Sequence, residues 1–179
     1  MVNFKFLVLK NKYVFLEPFN EKHITNSFVN SLNNKDINKY LEVRKKKQTK
    51  KTALKYYLDR LKNKNYYYAI IENKNSKLIG TITLRITQEY GTIGNMICNK
   101  KYFGSLESKI SFQIFLDFSF NTLNLNKIYA VTGKNNISSN FNLTINNFEL
   151  IQKNKNKFKF MLRKKNHKKK INYKIINNK

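Results

Sequence analysis

The chain has 179 residues, with 36 Lys plus Arg against 10 Asp plus Glu, a formal net charge of +26. That length suits one domain with a proper core, and the 41% hydrophobic content excludes a wholly disordered chain. No apolar run approaches the ~20 residues needed to cross a bilayer, and the single cysteine, Cys98, permits no internal disulfide and fits a reducing cytoplasm.

The opening run MVNFKFLVLKNKYVF has lysines inside its apolar patch and no small-residue cleavage site, so it reads as a first strand with its β-rich part at 13–16. A modestly amphipathic helix is predicted over 21–32. A second is predicted over 52–62, where Leu54, Tyr57, Leu58 and Leu61 recur at helical spacing. Strands follow at 66–72 and 78–86, and the polar link ENKNSK between them predicts an antiparallel hairpin. A further strand is predicted at 92–98. Beyond it Ile110, Ile114, Phe115 and Phe118 form one helical stripe, while Phe112, Leu116 and Phe120 fill much of the rest. A helix apolar on most sides belongs buried against a sheet. Strands at 127–132, 158–162 and 171–176 complete the pattern, and a cationic block at 163–170, between the last two, holds His167 among lysines. Pro18 is the only proline and no Gly/Ser-rich linker divides the chain, so 1–179 reads as a single domain with a lysine-rich tail from 152. The order of elements implies a mixed α/β layer fold.

The most informative stretch is 90–120, YGTIGNMICNKKYFGSLESKISFQIFLDFSF. An apolar run feeds a basic, aromatic, glycine-bearing turn and then a buried helix. Such a turn presents backbone N–H groups and a positive dipole end to an anion. The turn Lys101, Tyr102, Phe103, Gly104, Ser105, Leu106 resembles the Q/R-x-x-G-x-G/A pyrophosphate loop of the GNAT (GCN5-related N-acetyltransferase) superfamily, with leucine at the second glycine. The run NKKYFG is similar to the D-K-x-Y-W-G approach to that loop in the branch acting on ribosomal proteins and nucleotide sugars. Residues 136–139, NISS, and 147–150, NFEL, resemble its N-x-x-S and G-F-x-x elements, and YVFLEPF resembles its opening V-x-L-R-P strand. The resemblance covers 12–151. It implies an α+β GNAT fold, a single mixed central sheet flanked by helices with splayed central strands, and a closing hairpin with arms at 158–162 and 171–176 about the turn 163–170.

The resemblance implies acetyl-CoA as cofactor and direct transfer to a primary amine, with no covalent enzyme intermediate. It assigns the pantetheine and acetyl carbonyl to the N–H groups of Met96, Ile97 and Cys98, and the pyrophosphate to those from Tyr102 to Ser108, a turn that includes Glu107 and is flanked by Lys109. Asn136 and Ser139 are further coenzyme positions. The usual catalytic positions hold Thr92, Asn95 and Leu143: Thr92 stands where relatives carry a carboxylate, and Leu143 where they carry a tyrosine. Leu106 is expected to strain or crowd the loop, and Glu107 to oppose an anion unless Lys100, Lys101 and Lys109 offset it. No metal is implied. Glu89 and His167 are the groups to test if another residue moves the proton. The run KYLEVR…QT, with Tyr40, Arg44 and Thr49, resembles the acceptor segment of sugar acetyltransferases. It favours a nucleotide-linked aminosugar, Arg44 clamping its diphosphate.

Three other readings stand beside this one: a ribosomal-type protein N-terminal acetyltransferase, a degenerate GNAT-fold binding module without catalysis, and a basic nucleic-acid-binding protein, for which the lysine tail is the argument. The excess of lysine and asparagine over arginine fits AT-rich codon drift as well as polyanion affinity. The expected state is cytoplasmic, without a membrane partner, as monomer or homodimer.

Overall fold

The structure, a computed structural model, describes residues 7–63, 65–88 and 90–177. The expected single opening strand is a hairpin of β1 (Leu7–Lys10) and β2 (Val14–Pro18). Asn11 sets its turn, accepting the N–H groups of Tyr13 and Val14 at 2.9 and 3.0 Å. The predicted helix 21–32 is interrupted: a 3-10 turn, Glu21–His23, ends at Ile24, and α1 (Asn26–Asn33) restarts under a Thr25 cap. A single-turn helix, α2 (Lys35–Asn38), leads to a strap and then to α3 (Lys50–Lys62), capped by Thr49. Only Ala53 of α3 is fully buried; Leu58 and Leu61 are about half exposed, so the expected stripe holds at its start and lifts off at its end.

Strands β3 (Tyr66–Glu72), β4 (Lys77–Thr87) and β5 (Tyr90–Ile97) form an antiparallel meander, and α4 (Leu106–Asp117) follows, continuing into a π-helical turn, Phe118–Thr122. Both predicted apolar stripes of α4 are buried, including Phe112, Phe115, Phe118 and Phe120. Each such phenylalanine contributes about 1.5–3 kcal/mol on burial. The chain then gives β6 (Lys127–Gly133), α5 (Ile137–Ile145), β7 (Glu149–Lys153), β8 (Lys157–Arg163) and β9 (Lys174–Asn177). The strands make one mixed sheet in the order β7-β8-β6-β5-β4-β3-β2-β1-β9, parallel only between β5 and β6. Alternate strand residues serve two cores: Tyr68, Ile70 and Ile93 pack with α4, whereas Ala69, Ile71 and Cys98 pack with α1 and α3.

The closing hairpin differs from expectation. β8 pairs with β7, so residues 171–176 are not its second arm; β9 lies at the opposite edge, antiparallel to β1. The crossing is clasped by buried Asp117, whose Oδ1 meets His167 Nε2 at 3.2 Å and accepts Asn121 Nδ2 at 2.7 Å, and whose Oδ2 accepts Tyr173 OH at 3.0 Å. His167 also stacks on Phe120, which gives it a structural place remote from a solvated loop. Asn147 takes the left-handed conformation, φ 63°, that follows a helix end and that asparagine tolerates.

Candidate active site

The parallel seam of β5 and β6 is short. It pairs Tyr90, Gly91, Thr92 and Ile93 with Lys127, Ile128, Tyr129 and Ala130, and there it stops. Beyond it β5 stays paired with β4 as far as Ile97, and β6 with β8 as far as Gly133, so the two strands diverge. Peptide groups along a strand face alternate neighbours. The Cys98 N–H donates to the Ile79 carbonyl at 2.8 Å, and the Gly94 carbonyl accepts Thr83 Oγ1 at 3.4 Å, both on the β4 side. By alternation Met96 faces β4 as well, while Asn95 and Ile97 face the gap. The expected trio of open amides at Met96, Ile97 and Cys98 is therefore corrected: the β4 ladder occupies Met96 and Cys98, and the peptide groups that face the gap are those of Asn95 and Ile97.

A cavity of about 800 Å³ sits at this divergence. On one side of the sheet it is walled by Phe28, Leu32, Thr52, Ala53, Tyr56 and Tyr67, and on the other by Phe112 and Leu143; Ile93 to Met96 and Ala130 to Gly133 form its waist. The opening thus passes through the sheet. Tyr40 closes one end, its hydroxyl donating to the Asn135 carbonyl at 2.7 Å. Gln48 and Glu42 also line it, and Lys157 Nζ lies 3.9 Å from Glu42 Oε1. Of the expected acceptor residues Tyr40 lines the cavity, but Arg44 and Thr49 do not. Thr49 is the cap of α3, and Arg44 turns to a separate concavity, its guanidinium donating to the Lys39 carbonyl.

Helix α4 begins behind a left-handed glycine and a serine cap. Gly104 has φ +67°, a left-handed angle that favours glycine. The Ser105 hydroxyl caps the helix by accepting the Ser108 N–H at 3.2 Å. The amides of Tyr102, Phe103 and Ser105 bond back to Asn99, Lys100 and Tyr102 carbonyls, and Lys109 to Ser105. The expected run of amides from Tyr102 to Ser108 therefore narrows to Gly104, Leu106 and Glu107, which have no partner among the described residues. Leu106 is the first helical residue and half exposed, with no positive φ, so the expected backbone strain there is absent. Lys100 is committed to Asp36 at 2.6 Å and holds that carboxyl below its usual range. That leaves Lys101 and Lys109 to offset Glu107. The Tyr102 ring is buried, and burial, then its bond to Glu72, pushes its hydroxyl pKa up.

Asn136 caps α5, accepting the Ser139 N–H at 3.3 Å, and both residues line the cavity. Leu143 lies buried on the α5 wall. Thr92 does not line the cavity and is paired across the sheet with Arg85 and Tyr129. Glu89 lies outside the described residues. Burial pushes the Cys98 thiol up to about 12, which removes it as a nucleophile near neutrality. Among the cavity's ionisable groups, the Lys45 ion pair holds the Glu42 carboxyl low, and burial raises the Tyr67 hydroxyl. Among the described residues no group of three metal-ligating side chains comes together, and no helix is long and apolar enough to cross a membrane.

A family model described as an acetyltransferase (GNAT) domain matches residues 14–141. The chain belongs to the GNAT acetyltransferases. The fold agrees with solved structures. An acetyltransferase of the GNAT family from Bacillus anthracis superposes with a TM-score of 0.77 at 16% identity, covering 88% of this chain and 99% of that one. A nucleotide-linked sugar GNAT, FdhC, gives 0.70 at 21% over 89% and 91%. Spermidine N-acetyltransferase from Vibrio cholerae, solved with CoA and spermine, gives 0.74 at 17% over 87% and 98%. At such identities the likeness shows the fold. A search of curated proteins finds no match. Acetyl-CoA is the acyl donor of this GNAT domain, and the residues present fit it: two strand amides at the gap with no ladder partner among the described residues, and a helix start behind Gly104 whose first amides have none either.

Proposed function

We propose that this GNAT domain transfers the acetyl group of acetyl-CoA directly to a primary amine, that of a nucleotide-linked aminosugar. The observation that carries the proposal is the cavity through the sheet at the β5–β6 divergence, where the unpaired Asn95 and Ile97 peptide groups meet a chamber walled by α1, α3 and the Tyr40 strap. Acetyl-CoA, when bound, supplies an activated thioester. The Asn95 and Ile97 N–H groups polarise a carbonyl placed in the gap, and Gly104, Leu106 and Glu107 present their N–H groups to a pyrophosphate. The chamber holds the amine beside that carbonyl, so proximity does most of the work. The amine's proton leaves through water: by the resemblance Thr92 and Leu143 replace a carboxylate and a phenol, and Thr92 lies outside the cavity lining.

Calorimetric titration with acetyl-CoA and desulfo-CoA at low ionic strength tests the coenzyme half. Saturable binding that weakens with salt is expected; no binding would favour the non-catalytic module. Acetylation of an aminosugar linked to a nucleoside diphosphate, set against peptides with free N-termini, tests the acceptor.

A further inference from the structure

The strap between α2 and α3 has two sides. Tyr40, Glu42 and Val43 line the central cavity, whereas the outer side forms a second concavity of about 510 Å³. Six of its eight lining residues are cationic, Lys35, Lys39, Arg44, Lys45, Lys46 and Lys47, and none is acidic. The neighbouring carboxylates are already engaged. Glu42 takes Lys45 and Lys157, and Asp36 takes Lys100. Among the described residues Lys35, Lys39, Arg44, Lys46 and Lys47 therefore have no ion pair. The Arg44 guanidinium donates to the Lys39 carbonyl at the concavity, and its other donors are unpartnered among the described residues.

A concavity lined by one sign of charge concentrates field and gathers the opposite ion. Five cations without an ion pair suit a group with more than one negative charge, and a planar guanidinium suits two adjacent oxygens. We propose that this concavity binds a diphosphate. It is a separate place from the helix start at Gly104. The diphosphate has two sources, the acceptor itself, whose amine would sit on the inner side of the same strap, or a free diphosphate beside it. The first source deepens the acceptor reading given above and rests on it.

The test uses inorganic pyrophosphate as probe. Titration of the whole chain at low ionic strength is compared with Arg44→Gln/Lys46→Gln/Lys47→Gln and with Lys101→Gln/Lys109→Gln. All five side chains are exposed, so both variants should fold. The expected result is a pyrophosphate site that weakens at least tenfold in the first variant and persists in the second. No saturable site, or a site unchanged in the first variant, would overturn the proposal; so would single-stranded RNA binding more tightly than pyrophosphate and being lost in the same variant. A KM for the nucleotide-linked aminosugar that rises at least tenfold, with that for the free aminosugar unmoved, identifies the acceptor as the source. Both KM values unmoved, with the pyrophosphate site lost, identifies a free diphosphate. Acetyl-CoA that fails to bind the unaltered chain would sink the transferase reading and leave this site standing.

Discussion

Gly104 is the residue of the proposed coenzyme turn whose backbone alone makes a testable demand. Its φ of +67° is left-handed, and a Cβ built there meets no heavy atom within 4 Å. Gly104→Ala therefore adds backbone strain without a clash, and the cost of a left-handed angle for an ordinary L-residue is about 1–2 kcal/mol. For a chain of this size each kcal/mol lowers Tm by roughly 2–4 °C, so thermal unfolding should fall by about 2–8 °C. Gly104→Asn should recover much of that loss, because asparagine visits this region more readily. If the turn must hold its shape to present the Gly104, Leu106 and Glu107 amides, acetyl-CoA affinity should fall in the same order, Ala more than Asn, by up to about tenfold per 1.4 kcal/mol. Calorimetric titration beside thermal unfolding measures both. An alanine variant as stable as the parent, or an asparagine variant that fares no better than alanine, would refute the conformational argument. Lost stability with unchanged affinity would refute the assignment of this turn to the pyrophosphate.

Leu106→Gly should not tighten acetyl-CoA binding, because Leu106 already has helical angles; equilibrium denaturation should show a loss of up to about 1 kcal/mol from the added chain freedom. His23 is buried, and desolvation lowers its pKa although its bond to Glu17 acts the other way. Its folded pKa lies below the unfolded value, so its stabilising contribution is present above pH 6.5 and disappears as pH falls through the folded value; denaturant midpoints from pH 7 down to 5 should decline less steeply in His23→Gln than in the parent. Cys98 should resist a thiol-reactive dye in the native chain at pH 8 and react once the chain is unfolded, and rapid native labelling would contradict its burial. Turnover should climb with pH rather than follow a bell. Thr92→Glu should not deliver the ~10²-fold or greater gain of a working general base, because Arg85 stands directly across the strand pair and would hold the new carboxylate.

The β-turn-helix unit at 90–120 was legible because each of its parts is local: a strand, a left-handed glycine, a serine cap and a helix apolar all round. The hairpin of β3 and β4 was legible for the same reason. The destination of the C-terminal run was not. β9 is four exposed residues, and what carries it across the molecule is Asp117 meeting His167 and Tyr173, partners 50 and 56 positions away. The cavity was half legible. Strand amides were expected to serve it, but which ones depends on the β4 register, visible in the Cys98 to Ile79 bond and not in the residue types. Tyr40 was expected at the acceptor side, whereas its reach to Asn135, 95 positions on, was beyond any local signal. Arg44 and Thr49 were placed by motif likeness alone, whereas Thr49 is taken up as the cap of α3 and Arg44 lies on the other concavity of the strap.

The four residue pairs that join β5 to β6 also make the sheet two plates with one seam. Strands β1 to β5 with β9 form one plate, β6 to β8 the other, and below Ile93 and Ala130 nothing in the ladder ties them. A rotation of the plates about that seam is magnified along the free stretch Gly94 to Ile97, about 13 Å of strand at ~3.3 Å per residue, so a turn of about 5° moves its far end by about 1 Å. The Tyr40 hydroxyl and the Glu42–Lys157 pair run from one plate to the other like a latch across an open book. The width of the chamber is therefore set less by the side chains that line it than by how firmly the spine and the latch hold the covers.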